Sequence, residues 1–161
     1  MKKLLLLLFI SFGLIGSSYA ELDSEAYALR KLAKNHAYGE GGYLQDPREA
    51  IILFKKYLKR VGEPTEENDA RNVMNTIANF YLDYLNNSNE ALIWYNKSAE
   101  LGHFWSQYTL GEIYREGNGV PKSLERAADW YKIAFENNSV IGKQERHRVE
   151  YIWNKYKLWN Y

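Results

Sequence analysis

Three alanines constrain what this chain can fold into. Ala50, Ala91 and Ala127 are each followed, three and four residues on, by a large apolar pair: Leu53 and Phe54, Trp94 and Tyr95, Trp130 and Tyr131. The stripe continues at seven and eight residues with Tyr57 and Leu58, Ser98 and Ala99, Ala134 and Phe135. That spacing marks one buried face of an α-helix, written three times. Four residues before each alanine stands Asp46, Asn87 or Ser123, side chains whose oxygens accept from the unpaired N–H groups of a first helical turn. Pro47 suits the first helical position, and Glu49 and Glu90 complete capping boxes; Arg126 breaks that pattern in the third copy. Gly102 and Asn138, eleven residues after their alanines, and Gly62, one place later in its copy, are the residues expected where a helix ends in left-handed backbone.

A second amphipathic segment precedes each capped helix, over roughly Glu25 to Ala37, Glu66 to Leu85 and Trp105 to Arg115. These align through Ala33, Ala78 and Gly111, small residues that let a neighbouring helix come close, with His36, Tyr81 and Tyr114 three residues further on. Each unit is therefore a helix pair, repeated at spacings of 41 and 36 residues. Pairs of this kind cannot bury their apolar faces alone and stack on one another. The fold class expected is all-α: a right-handed α-solenoid of about three helix-turn-helix repeats (about 24–62, 66–102 and 103–138) with a capping helix over about 143–158. Val149, Ile152, Trp153 and Tyr156 give that last helix one apolar face. Residues 21–161 are expected to form a single domain.

The loops "GEGGY" (Gly39 to Tyr43) and "EGNGV" (Glu116 to Val120) join the two helices of a unit, their glycines supplying positive φ. Neither loop carries the Gly-x-x-x-x-Gly-Lys-Ser/Thr order of a phosphate loop, and Lys122 stands where a dinucleotide fingerprint needs its third glycine. They turn the chain. The second connection, "NNSN" (Asn86 to Asn89), lacks glycine and relies on asparagine for left-handed geometry.

The stretch "LGEIYREGNGVPKSLERAADWYKIAFENN" (Leu110 to Asn138) resembles the Sel-1-like repeat family, a relative of the tetratricopeptide repeats, in its Leu-Gly-x-x-Tyr helix, Gly-x-Gly-Val loop and Ala-x-x-Trp-Tyr helix. The second unit keeps Ala91, Trp94, Tyr95 and "SAELGH" without the loop; in the first, Leu53 and Phe54 replace the Trp-Tyr pair. Together the three cover about residues 24 to 140. The resemblance implies an adaptor that presents a concave surface to a protein partner. Exported relatives include inhibitors of toxins delivered between bacteria, which gives a concrete form: an immunity protein. An exported branch associated with β-lactam binding or hydrolysis is the alternative, as an enzyme or binder acting on β-lactams or cell-wall peptides. That branch carries a cysteine pair in each repeat, and this chain has no cysteine.

Residues 1–20 read as a secretory signal peptide: Lys2 and Lys3, an apolar run from Leu4 to Ile15, and Ser18-Tyr19-Ala20 as a small-x-small cleavage site, leaving Glu21 as the mature N-terminus. No cysteine follows to take a lipoprotein anchor, and no second long apolar run offers a stable membrane span. The expectation is a periplasmic or secreted protein. Of the 21 cations and 20 anions of the chain, removal of Lys2 and Lys3 leaves 19 against 20, which argues against electrostatic capture of nucleic acid.

Catalysis asks for a nucleophile with its base, or a metal cluster, and no such constellation is present. His36, His103 and His147 are isolated; His36 occupies the packing position of Tyr81 and Tyr114, and His103 follows a helix end. Glu63, Glu66, Glu67 and Asp69 complement a helix dipole. Neither a cofactor, a metal nor a catalytic residue is expected. With fourteen tyrosines and five tryptophans in the chain, aromatic anchors of the kind enriched in binding hot spots are the candidates for holding a partner. Those expected are Tyr81 and Tyr114 on the inner helices, Trp105, and Trp159 and Tyr161 beyond the last helix.

Overall fold

The computed structural model of the protein describes residues 24–62, 69–137 and 142–161. Among them are seven α-helices and no strand: α1 (residues 24–38), α2 (Pro47–Val61), α3 (Ala70–Asp83), α4 (Ser88–Glu100), α5 (Phe104–Glu116), α6 (Leu124–Glu136) and α7 (Lys143–Lys155), with a 3₁₀ turn at Leu158–Asn160. The chain divides after Glu63 into two compact units, the first holding α1 and α2 and the second α3 to α7. The architecture is all-α and built of helical repeats, as the periodicity requires. Residues 1–20, Glu63, Glu66, Glu67 and Asn138 lie outside the described residues.

The three caps form as their residue types dictate. The Asp46 carboxylate accepts from the amides of Arg48 and Glu49 at 3.0 and 3.1 Å, Asn87 from Glu90 at 3.1 Å, and Ser123 from Arg126 at 3.2 Å. Each cap residue also spends its own amide in one repeated way. Asp46 donates to the carbonyl of His36, Asn87 to that of Tyr81 and Ser123 to that of Tyr114, all at 2.8 Å. The three aligned ring positions are thus equivalent through their backbone, and one bond closes loops of three different lengths. Left-handed backbone supplies the reversals: Gly117 ends α5 at φ 81°, with Lys122 Cβ only 3.2 Å from where a Cβ would stand, and Asn86 turns the glycine-free connection at φ 50°. Gly62 and Gly102 also take positive φ beyond α2 and α4.

Within a hairpin, the second helix seats a ring on the small residue of the first. Ala50, Ala91 and Ala127 are fully buried, as are Ala33 and Ala78. Tyr95 and Tyr131, 2% and 0% exposed, occupy the fourth position after their alanines. Tyr131 lies so close to Gly111 that a Cβ there would meet its ring at 2.7 Å. A phenol this deep needs an acceptor for its hydroxyl, and the residue after the small one supplies it. Tyr95 donates to Asn79 Oδ1 at 2.6 Å, and Tyr131 donates to the Glu112 carboxylate. In the first hairpin Phe54 fills this place, buried and without a hydroxyl, and the residue after Ala33 is Lys34, which offers no acceptor. Trp94 and Trp130, the partners in each Trp-Tyr pair, are half-buried against the core formed by Ala78, Ala91, Tyr95 and Leu110.

The last helix packs on α6. Val149 and Ile152 of α7 enter a core with Ala127, Tyr131 and Phe104, closed by the fully buried Leu158 of the 3₁₀ turn; Trp153 and Tyr156 pack on its edge. When the buried pairs Ile77 and Phe80, Leu110 and Ile113, and Val149 and Ile152 are placed in register, Glu150 stands where Ala78 and Gly111 do. A long charged side chain there takes the place that a small residue holds in α3 and α5.

His103, placed by the sequence merely after a helix end, is the N-cap of α5. Its Nδ1 accepts from the Ser106 amide at 3.2 Å and lies 3.0 Å from the Ser106 hydroxyl. Ser106 and Ser98, both fully buried, are 2.8 Å apart through their hydroxyls, and Ser98 donates to the Arg71 carbonyl at 2.7 Å. Helices α3, α4 and α5 are joined by this chain of bonds. Because Nδ1 must accept, the ring is held neutral. Burial foremost, then the positive charge of Arg71, lowers its pKa from 6.5 to about 4, with Asp69 opposing. Asp69 itself stands at the start of α3 in left-handed backbone, φ 55°, and makes no capping bond, so the expected first-turn charge effect is confined there to a residue outside the helix.

Two measurements check this packing. Gly111→Ala adds a methyl where the Tyr131 ring already sits; overpacking of about 1–3 kcal/mol outweighs the helix-propensity gain of about 1 kcal/mol, so the melting temperature should fall. An unchanged or higher value would show that the seat has slack. Second, the unfolded His103 titrates near 6.5 and the folded one near 4. Its contribution to stability is therefore complete above 6.5 and is lost as pH falls towards 4. Urea midpoints should drop between about pH 7 and pH 5, and His103→Asn, a cap that does not titrate, should flatten that drop; a variant that follows the wild-type slope would remove His103 as its cause.

Candidate functional site

Helix α5 buries Phe104, Gln107, Leu110, Gly111 and Ile113, and its opposite stripe runs Trp105, Tyr108, Glu112 and Arg115. The 3.6-residue period puts these four on one line. Helix α7 packs on α6 beside it and lends Arg148 and Tyr156 to the same surface. The Arg148 guanidinium lies over the Trp105 ring at 5.6 Å and the Tyr108 ring at 5.9 Å. Trp105 also meets Phe104 and Tyr108 edge-on, at 5.1 and 6.2 Å between centroids, so its ring is fixed in direction while 42% of it stays exposed. At the far end Arg115 donates to Glu112 at 2.5 Å and to the Tyr156 hydroxyl at 2.9 Å, and its guanidinium lies 4.6 Å above the Tyr156 ring.

The charges of this face hold each other in place. The hydrogen bond that Arg115 donates to Glu112 keeps the guanidinium protonated well beyond its ordinary range. Burial first, and then the Glu112 carboxylate, raise the Tyr131 phenol and also Tyr108, whose rise Arg148 and Arg115 oppose. Tyr131 is thereby held as a hydroxyl donor to Glu112. A cleft of about 330 Å³ opens beside Trp105, bordered by Arg71, Asn72, His103 and Glu145. The arrangement offers a fixed aromatic plane, a stacked cation and polar side chains around an opening. These are means of recognition, and none of them is a nucleophile paired with a base. Among the described residues no group of three or more His, Asp or Glu is placed to hold a metal ion, and no helix is long and apolar enough to cross a membrane.

The five aromatics expected to meet a partner fall in four places. Trp105 stands on the face just described. Trp159 and Tyr161, 55% and 63% exposed, line a separate groove of about 510 Å³ between α6, α7 and the 3₁₀ turn. Tyr81 and Tyr114 are half-buried, Tyr81 against the core around Ala78 and Tyr114 against that around Ala127 with Arg126 over its ring at 5.4 Å. Tyr108 and Arg148 are additions that no single stretch of sequence announces. Arg148 reaches Trp105 across 43 residues, and only the docking of α7 brings them together.

Comparison with known proteins agrees with the repeats. The Sel1 repeat matches at residues 26–56, 82–103 and 106–139, which cover α1 with most of α2, α4, and α5 with α6. The chain is similar in fold to the crystal structure of a Sel1 repeat protein from Oxalobacter formigenes, at 24% identity and a TM-score of 0.56, over 81% of this chain and 58% of that one. Among curated proteins there is no match. Sel1 repeats are generally protein-interaction modules, and proteins built from them are typically non-catalytic scaffolds, which fits a binding role. On three matched segments spanning more than half of its length, and on the helix pairs that realise them, the chain belongs to the Sel1 repeat family.

Proposed function

We propose that this is an exported, periplasmic protein that binds a protein partner as adaptor or inhibitor through the face of α5 and α7, without catalysis of its own. The observation that carries the reading is the half-exposed Trp105 ring, fixed by Phe104 and Tyr108 and covered on one side by Arg148. Tryptophan, tyrosine and arginine dominate binding hot spots because a rigid amphipathic surface loses little conformational freedom on association. Export is supported by the basic, apolar and small-x-small order of residues 1–20. An immunity protein against an antibacterial toxin is the specific form proposed, since inhibition by occlusion needs only such a face.

Capture from a periplasmic extract tests the reading. The wild-type protein should have Glu21 as its N-terminus and retain one dominant partner, and Trp105→Ala or Arg148→Ala should weaken that complex about thirtyfold, the loss expected of a hot-spot side chain. Co-expression with an immunity target should relieve its toxicity. Retention undiminished by either substitution, or full-length protein found only in the cytosol, would contradict the proposal.

A further inference from the structure

The groove between α6, α7 and the 3₁₀ turn is lined by four aromatic rings, Phe135, Trp153, Trp159 and Tyr161. Several partly exposed rings of the unit carry cations of the chain itself: Lys97 lies over Trp94 at 4.6 Å, Arg126 over Tyr114 at 5.4 Å, Arg148 over Trp105 at 5.6 Å and Lys155 over Tyr151 at 5.4 Å. Even Phe135, on one wall of the groove, has Arg146 at 5.0 Å. Among the described residues no cation lies over Trp153, Trp159 or Tyr161, the three other rings that line it. The carboxylates of Asp129 and Glu150 stand in the same lining, with Lys132 as the one cation among the lining residues.

A ring face is the negative end of an aromatic quadrupole, and a carboxylate beside it adds to the same potential. Three bare rings and two carboxylates against one ammonium make a cavity that favours a positive, partly apolar occupant. With about 510 Å³ available, the groove has room for an extended basic side chain whose methylenes lie on Trp159 while its charged head meets Asp129 and Glu150. We infer that this groove receives a lysine or arginine side chain of the protein partner. The inference rests on the reading that the chain binds a protein, and it assigns Trp159 and Tyr161 a ligand chemistry distinct from that of the Trp105 face.

The test uses the purified full chain and short peptides, so that it does not depend on finding the partner. Acetyl-Gly-Lys-Gly-amide and its arginine counterpart are titrated while the indole N–H signals of Trp153 and Trp159 are followed by NMR, each assigned through its Trp→Phe variant; the norleucine peptide, equal in length and uncharged, is the control. Saturable shifts of both indoles with the basic peptides are expected. Asp129→Asn combined with Glu150→Gln, both on the rim and outside the core, should weaken binding about three- to tenfold. Equal shifts with norleucine, indoles that stay still up to the solubility limit of the basic peptides, or an affinity untouched by the double substitution would overturn the inference. Shifts that persist where partner capture fails would instead remove the partner reading and leave the chemistry of the groove in place.

Discussion

The bond that the rest of this structure depends on joins the amide of a helix cap to a carbonyl near the end of the preceding helix. It occurs three times at 2.8 Å, between Asp46 and His36, Asn87 and Tyr81, and Ser123 and Tyr114. An N-cap amide has no partner within its own helix, so pairing it satisfies a donor and fixes where the second helix begins against the first. The intervening loops differ in length and composition, yet the register is the same. Once it is set, Tyr95 and Tyr131 fall on Ala78 and Gly111, and full burial of a large side chain contributes about 1.5–3 kcal/mol at each seat.

From that seat follows the division of labour along α5. Gly111 and Leu110 face inward, Glu112 turns to meet the Tyr131 hydroxyl, and Trp105 and Tyr108 are left on the outward line. Glu112 belongs to both sides. It satisfies a buried phenol and also holds Arg115, which reaches the Tyr156 hydroxyl at the C-terminal end of α7. The proposed recognition face is therefore coupled to the core through one carboxylate, and α7 is held where Arg148 can lie on Trp105. A surface positioned in this way is preorganised, which limits what association must spend in ordering side chains.

Much of this was legible in the residues. The alanine-centred stripes, the three caps and the small positions announced the helix pairs, because each rests on a local rule that needs no knowledge of distant chain. Local rules also announced the positive φ of Gly117 and Asn86. They did not announce the His103 cap, since histidine is not among the preferred cap types; Ser106, three residues on, was the available hint. The meetings of Tyr131 with Glu112 and of Arg148 with Trp105 lie across hairpins and helices, 19 and 43 residues apart. Such pairs follow from packing, and a single sequence shows the partners without showing that they meet. The same limit applied to Tyr81 and Tyr114, whose period placed them on inner helices while their neighbours decided that they be half-buried.

Native-state hydrogen exchange of three amides tests the central bond most directly. A cap amide left to solvent exchanges at the rate of a loop, whereas one bonded across a hairpin opens only when the hairpin does. The amides of Asp46, Asn87 and Ser123 should be protected to the level of the interior of the helices they begin, with Asn87 protected despite its exposed side chain. Exchange of these three at unprotected loop rates, under conditions where the helix interiors remain protected, would contradict the account.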